Sequence, residues 1–214
     1  MIEIIPSINA PTFEEVEERI LKVEPFVSWC HIDVTDGVFS TYPTWRNPAD
    51  LAQLHTALNI EAHLMIAKPH ESIDRWLVPP IKRVIVHLEA MLNTECLTLI
   101  EKCHTAGREV GLAINPDTAW TAFEPWFGKA DIFLPLGVPP GASGQSVNWD
   151  LVLGKIAAIR QACPSCIIEA DGGVNKETAS RARDAGATLL VAGSAIFDAP
   201  DIGGAIAVLQ RRLL

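Results

Sequence analysis

Short apolar runs rich in β-formers recur along the chain, at residues 2–5, 27–34, 60–66, 84–88, 110–114, 132–136, 167–170 and 189–192. Runs of this length, bounded by polar and turn residues, predict buried strands. A segment able to form a helix follows each. Thr12-Phe13-Glu14-Glu15 is a capping box, and Phe13, Val16, Ile20 and Val23 continue it at helical spacing. Leu97, Ile100 and Cys103 form a stripe that stops at Gly107. Asn175 can cap a helix carrying Ala179, Ala182 and Ala185, which ends at Gly186. Ile202, Ile206, Leu209 and Leu213 mark the last helix. Weaker patterns place helices over 48–58, near 72–77 and near Thr121. Eight strand–helix units predict an α/β fold, a closed (β/α)8 barrel spanning residues 1–214 as one domain. The alternative is an open doubly wound sheet. Against it, no glycine-rich fingerprint follows the first strand, where Pro6-Ser7-Ile8-Asn9 stands.

Composition narrows the setting. Of 214 residues, 49% are hydrophobic, enough for one large core. Mean hydropathy is +0.21, yet no apolar run approaches the roughly 18 residues a membrane helix needs. Met1-Ile2-Glu3-Ile4-Ile5-Pro6 has no basic start, so no signal peptide and no membrane partner are expected, and the expected location is cytoplasmic. A net charge of −9 argues against a nucleic-acid partner. An anionic ligand would then be held by local dipoles. The five cysteines show no framework spacing. Cys163-Pro164-Ser165-Cys166 lacks the second pair of a zinc site and is poorly placed for a redox motif, so reduced cysteines are expected.

The chemistry gathers at the predicted strand ends. In His31-Ile32-Asp33-Val34-Thr35-Asp36-Gly37, strand alternation points His31, Asp33 and Thr35 the same way. A buried His and Asp must be satisfied by hydrogen bonds, a metal or catalysis. Barrel enzymes carry their chemistry at the C-terminal ends of the strands. Polar residues there are Ser7, His31 with Asp33, His63, His87 with Glu89, Asn115 and Asp171. His31, Asp33, His63 and Asp171 offer two imidazoles and two carboxylates to one divalent metal, a set that suits zinc, manganese or ferrous iron. A hydrogen-bonded core set is the plain alternative, and Asn115 before Pro116 can simply shape a turn. Three late stretches suit an anion: Gly141-Ala142-Ser143-Gly144, Asp171-Gly172-Gly173 and Gly193-Ser194. Glycines let backbone N–H groups crowd a phosphate, and barrels often bind phosphate after strands seven and eight. Any one of them could equally be an ordinary βα turn.

These residues resemble the ribulose-phosphate 3-epimerase family. The resemblance rests on Pro6-Ser7-Ile8, His31-Ile32-Asp33-Val34-Thr35-Asp36-Gly37, His63-Leu64-Met65-Ile66, His87-Leu88-Glu89-Ala90, Asn115-Pro116-Asp117-Thr118, Pro140-Gly141 with Gly144-Gln145, Asp171-Gly172-Gly173-Val174-Asn175 and Ala192-Gly193-Ser194-Ala195-Ile196-Phe197. It implies interconversion of D-ribulose 5-phosphate and D-xylulose 5-phosphate, so the expected partner is a small-molecule sugar phosphate. By resemblance, His31, Asp33, His63 and Asp171 match metal ligands, and Asp33 and Asp171 match the acid–base pair. Gly144, Gly172, Gly173, Gly193 and Ser194 match phosphate-binding positions, while Ser7 and Met65 match residues lining the substrate. The implied cofactor is one divalent ion, zinc first, with manganese or iron as the other choices. A homo-oligomer is expected, with Trp45 or Trp120 as possible contact markers beside a core role.

The physics agrees with that assignment. Inverting C3 of a 2-ketose removes a proton α to the carbonyl and returns one on the opposite face, which needs two carboxylates in opposite protonation states. The chain also departs from the family. Thr35 and Leu136 stand where methionines are usual, Pro139-Pro140 precedes an altered phosphate loop, and residues 39–46 continue differently. A pocket reshaped at Ala142, Thr35 and Leu136 leaves a hexulose phosphate such as allulose 6-phosphate as an alternative substrate. A phosphosugar-binding paralogue with little turnover is another alternative. Decarboxylating barrels carry Asp-x-Lys-x-x-Asp, and this chain has Thr35 in place of that Lys.

Overall fold

The structure, a computed structural model, describes residues 2–141 and 145–211. The eight expected strands are present: β1 (Glu3–Ile8), β2 (Trp29–Thr35), β3 (Asn59–Met65), β4 (Ile81–His87), β5 (Glu109–Ile114), β6 (Ile132–Pro135), β7 (Ile167–Asp171) and β8 (Leu189–Ala192). They pair in parallel in sequence order, and β1 closes on β8 in the register Glu3↔Leu189 to Pro6↔Ala192. The single-domain (β/α)8 barrel is thereby confirmed, and the open sheet is excluded. The strands read as nearly continuous apolar runs because both faces are covered.

The helices outside are less regular. α1 (Phe13–Val23), α3 (Asn93–Thr105), α4 (Trp149–Ala162), α5 (Thr178–Ala185) and α7 (Ile202–Arg211) are full helices, with short turns α2 (Pro69–Ser72) and α6 (Ser194–Phe197) between them. Thr12 accepts from the Glu15 amide as the capping box requires. Asn175 Oδ1 accepts from the Glu177 and Thr178 amides at 2.8 and 3.1 Å. Where the pattern was weak, 3-10 turns stand instead, at Pro48–Gln53, Ile73–Trp76 and Trp120–Trp126. Pro125 lies inside the last of these, and a proline there cannot donate to an α ladder. In α3 the buried face is Cys96, Leu99, Ile100 and Cys103, so Leu97 points outward, one residue off the expected stripe. Leu213 lies outside the described residues.

Trp45 is a core residue, 6% exposed, with its ring against Phe13 and Trp76. Trp120 packs partly buried against the same core. Cys30, Cys96 and Cys103 are buried free thiols, each pushed up to about 12 by burial. Cys163 and Cys166 form a disulfide, contrary to the expectation of reduced cysteines. The turn after α4, closed by the Cys166 amide on Cys163 O, brings their Cα atoms to 5.4 Å, within disulfide reach. Among the described residues no helix is long and apolar enough to cross a membrane.

Candidate active site

Inside the barrel, alternation along each strand sets the layers. Ile5, Ile132, Leu189 and Val191 form one apolar interior cluster. Ile85, Ala113, Leu134 and Leu136 form another. Polar side chains fill several of the other inward positions. β2 brings His31 and Asp33, and the β2–β3 register sets Asp33 beside His63. Asp171 arrives from β7. His31 Nε2 lies 3.2 Å from Asp33 Oδ1 and 3.2 Å from His63 Nδ1. His63 Nδ1 lies 3.5 Å from Asp33 Oδ1 and 3.8 Å from Asp171 Oδ2.

One ligand atom from each of these four residues lies within 4.8 Å of the others. A tetrahedron with metal–ligand bonds of about 2.0–2.1 Å has edges of about 3.3 Å, so the cluster fits a divalent cation with little movement. Its donors, two imidazole nitrogens and two carboxylate oxygens, suit the same class of ion.

Charge in this cluster is unevenly shared. Burial opposes ionisation of Asp33, but hydrogen bonds and charge from His31 and His63 hold its carboxyl well below the usual range. Burial pushes Asp171 up to about 7, and the Asp33 carboxylate adds to the rise. Burial also works against charge on His31, yet Asp33, Glu169 and Glu61 raise it well above an ordinary imidazole. Burial lowers His63 to about 4, with His31 and His87 adding to the fall. Ser7 Oγ donates to Asp33 Oδ2 at 2.7 Å.

Below the four lies a buried ionic layer that the strand-end reading missed. His31 Nδ1 meets Glu61 Oε1 at 2.6 Å, and Arg83 bridges Glu61 and Glu109. Glu169 lies 3.5 Å from His31 Nδ1, and burial together with the Glu61 charge pushes it up to about 8. The Glu61 contact turns His31 Nε2 toward Asp33 and His63. A signal was available: Glu61 and Glu169 sit two residues before His63 and Asp171, on the same strand parity.

Above the four opens a cavity of about 250 Å³. Ser7, Asp33, Asp171, Gly172, Gly173, Gly193 and Ser194 line it. His31 and His63 are fully buried. Gly173 has φ +69°, and an added Cβ would meet Val147 Cγ2 at 2.6 Å, so backbone alone faces the cavity there. Met65 is buried at the end of β3 opposite Thr35 and does not line the cavity. Gly144 lies outside the described residues.

Thr35 and Leu136 also stay out of the cavity lining. The Thr35 hydroxyl donates to Tyr42 O and lies 3.5 Å from Thr44 Oγ1, while Thr44 Oγ1 donates to Asp33 O at 2.8 Å. These bonds anchor the loop after β2, which reaches the loop after β6, where Ser40 Oγ donates to Pro140 O at 3.0 Å. Leu136 packs into the interior cluster with Ile85 and Leu134.

Comparison with known proteins identifies the family. Residues 3–197 match the Ribulose-phosphate 3 epimerase family. The ribulose-phosphate 3-epimerase of Chlamydia muridarum (strain MoPn / Nigg) is 38% identical over 176 residues, covering 78% of this chain and 75% of that one. The chloroplastic ribulose-5-phosphate-3-epimerase of Arabidopsis thaliana is 33% identical over 212 residues, covering 96% of this chain and 75% of that one. A solved 3-hexulose-6-phosphate synthase superposes with a TM-score of 0.76 over 99% of this chain and all of its own, at 16% identity, a likeness of fold alone. With the family match running through every strand of the barrel, the chain belongs to the ribulose-phosphate 3-epimerase family of isomerases.

Proposed function

We propose that this chain interconverts D-ribulose 5-phosphate and D-xylulose 5-phosphate by inverting C3, with Asp33 and Asp171 as the two proton-transfer groups. The observation that carries this reading is that carboxylates from β2 and β7 converge on one small cavity beside the backbone at Gly172, Gly173, Gly193 and Ser194. One carboxylate takes the C3 proton, and the other, protonated, delivers a proton to the opposite face; the reverse reaction exchanges their roles. Ser7 holds the Asp33 carboxylate in place. Backbone amides at the four late positions hold the phosphate, with no basic side chain required. His31, Asp33, His63 and Asp171 hold one divalent cation, zinc first, with manganese or iron as alternatives. When bound, that cation polarises the C2 carbonyl as a Lewis acid.

The hexulose alternative rests on a pocket reshaped at Ala142, Thr35 and Leu136. Thr35 and Leu136 do not line the cavity, which favours the pentulose at those two positions, and Ala142 lies outside the described residues. A coupled assay on ribulose 5-phosphate with added zinc, manganese or iron, run beside allulose 6-phosphate, tests the reading. Turnover of the pentulose with at least one metal, well above that of the hexulose, is expected. A preference for allulose 6-phosphate would overturn the substrate assignment, and no turnover of either would overturn the reaction.

A further inference from the structure

His63 has a second histidine behind it. His63 Nε2 and His87 Nε2 are 2.9 Å apart. Their rings lie 8° from coplanar, with centroids 5.1 Å apart. That separation is close to the N–N distance plus the two ring radii, so the rings meet edge to edge, nitrogen to nitrogen. Exactly one proton fits between them. The other nitrogen of His63, Nδ1, is the atom that faces Asp33 and Asp171. A nitrogen that ligates a metal carries no proton. The neutral ring then holds its proton on Nε2 and donates it to His87.

His87 is forced in turn. As an acceptor at Nε2, a neutral His87 carries its proton on Nδ1. That atom is buried without a hydrogen bond among the described residues, and Glu89 Oε2 lies 3.5 Å away. Glu89 is itself held, with Oε1 accepting from the Asn115 amide at 2.7 Å and from the Thr118 hydroxyl. Lys155, 7% exposed, donates to the carbonyls of Asn115, Pro116 and Thr118 at 3.1, 2.7 and 2.6 Å and pins that turn to α4.

We propose that His87 and Glu89 are positioning residues for His63, forming a line from carboxylate to imidazole to imidazole that keeps the Nδ1 lone pair of His63 aimed into the cation site. The inference rests on the cation reading above. It assigns a task to the His87 and Glu89 pair, which does not line the cavity and, among the described residues, is hydrogen-bonded to the four proposed ligands at His63 alone.

Two measurements on the intact chain test it. In zinc-loaded protein with ¹⁵N-labelled histidine, long-range ¹H–¹⁵N spectra should show His63 protonated on Nε2 and His87 on Nδ1. Zinc affinity by chelator competition should fall about 10- to 100-fold in His87→Leu, the usual loss when a ligand's outer partner is removed. His87→Gln keeps an accepting oxygen and should recover most of that loss, and Glu89→Gln should weaken zinc by a smaller factor. Wild-type affinity in His87→Leu, or equal loss in the Leu and Gln variants, would overturn the relay. Should His87→Leu fail to fold, unchanged affinity in Glu89→Gln or a His63 proton on Nδ1 would do the same. A wild-type chain that takes up no zinc, manganese or iron would instead bring down the cation reading beneath it.

Discussion

Ser7 and Asp33 divide the Asp33 carboxylate between two tasks: Oδ2 takes a 2.7 Å hydrogen bond from the Ser7 hydroxyl, and Oδ1 is left facing His31 and His63. β1 and β2 pair in the register Ser7↔His31, which puts the hydroxyl at the right height. A hydrogen bond to a charged group is worth about 1.5–3 kcal/mol. Ser7→Ala should therefore lower kcat by about 10- to 100-fold, since each 1.4 kcal/mol is about tenfold, and change KM little. Steady-state kinetics on ribulose 5-phosphate checks this. An unchanged kcat would remove Ser7 from the support of the proton-transfer group.

Under the proposed two-group scheme, Asp171 separates proton removal from epimerisation. In Asp171→Asn one face of C3 keeps its carboxylate, Asp33, and the other loses its proton carrier. Epimerisation should vanish, while slow exchange of one C3 proton with deuterated solvent persists, visible by NMR of recovered substrate. Undiminished epimerisation would eliminate the two-group scheme.

The proposed phosphate positions differ in how cleanly they can be probed. At Gly173 the backbone has φ +69° and Val147 sits 2.6 Å from an added Cβ, so any side chain there strains the fold as well as the site. Gly193 has φ −100°, and the three atoms nearest an added Cβ all belong to Ser7, the closest at 3.6 Å, ordinary contact. Gly193→Ala should keep the melting temperature and raise KM with kcat largely retained, because the blocked contact is to a group that does not react. An unchanged KM would place the phosphate elsewhere.

Thr35 reads differently once its surroundings are known. Its hydroxyl is committed to Tyr42 O, so a methionine there would delete a bond that anchors the loop after β2. Thr35→Met should not raise kcat. Thr35→Val keeps the volume and deletes the donor to a partly buried carbonyl, a loss of about 1–3 kcal/mol. Urea denaturation of the three proteins checks this. A Met variant that is both stable and faster would show that the loop after β2 yields to the larger side chain.

Along the chain, a local pattern decided much of this. Eight apolar runs separated by turn and capping signals are read within a few residues of each other, and so is the parity that turns His31 and Asp33 the same way. The family motifs are local too, and they carried the four proposed metal-binding residues and the glycine positions. Tertiary structure decided whatever depends on register between strands far apart in sequence. Barrel closure and register set Asp171 of β7 against His63 of β3, and His63 against His87 of β4. They also stack Glu61, Arg83 and Glu169 beneath His31. The loop after β2 is the clearest case. Thr35 shares the parity of Asp33, so alternation alone aims it at the substrate. Hydrogen bonds to Tyr42 and Thr44 claim its hydroxyl for the loop instead, and such a contact depends on how a loop folds back, which no period along the chain encodes.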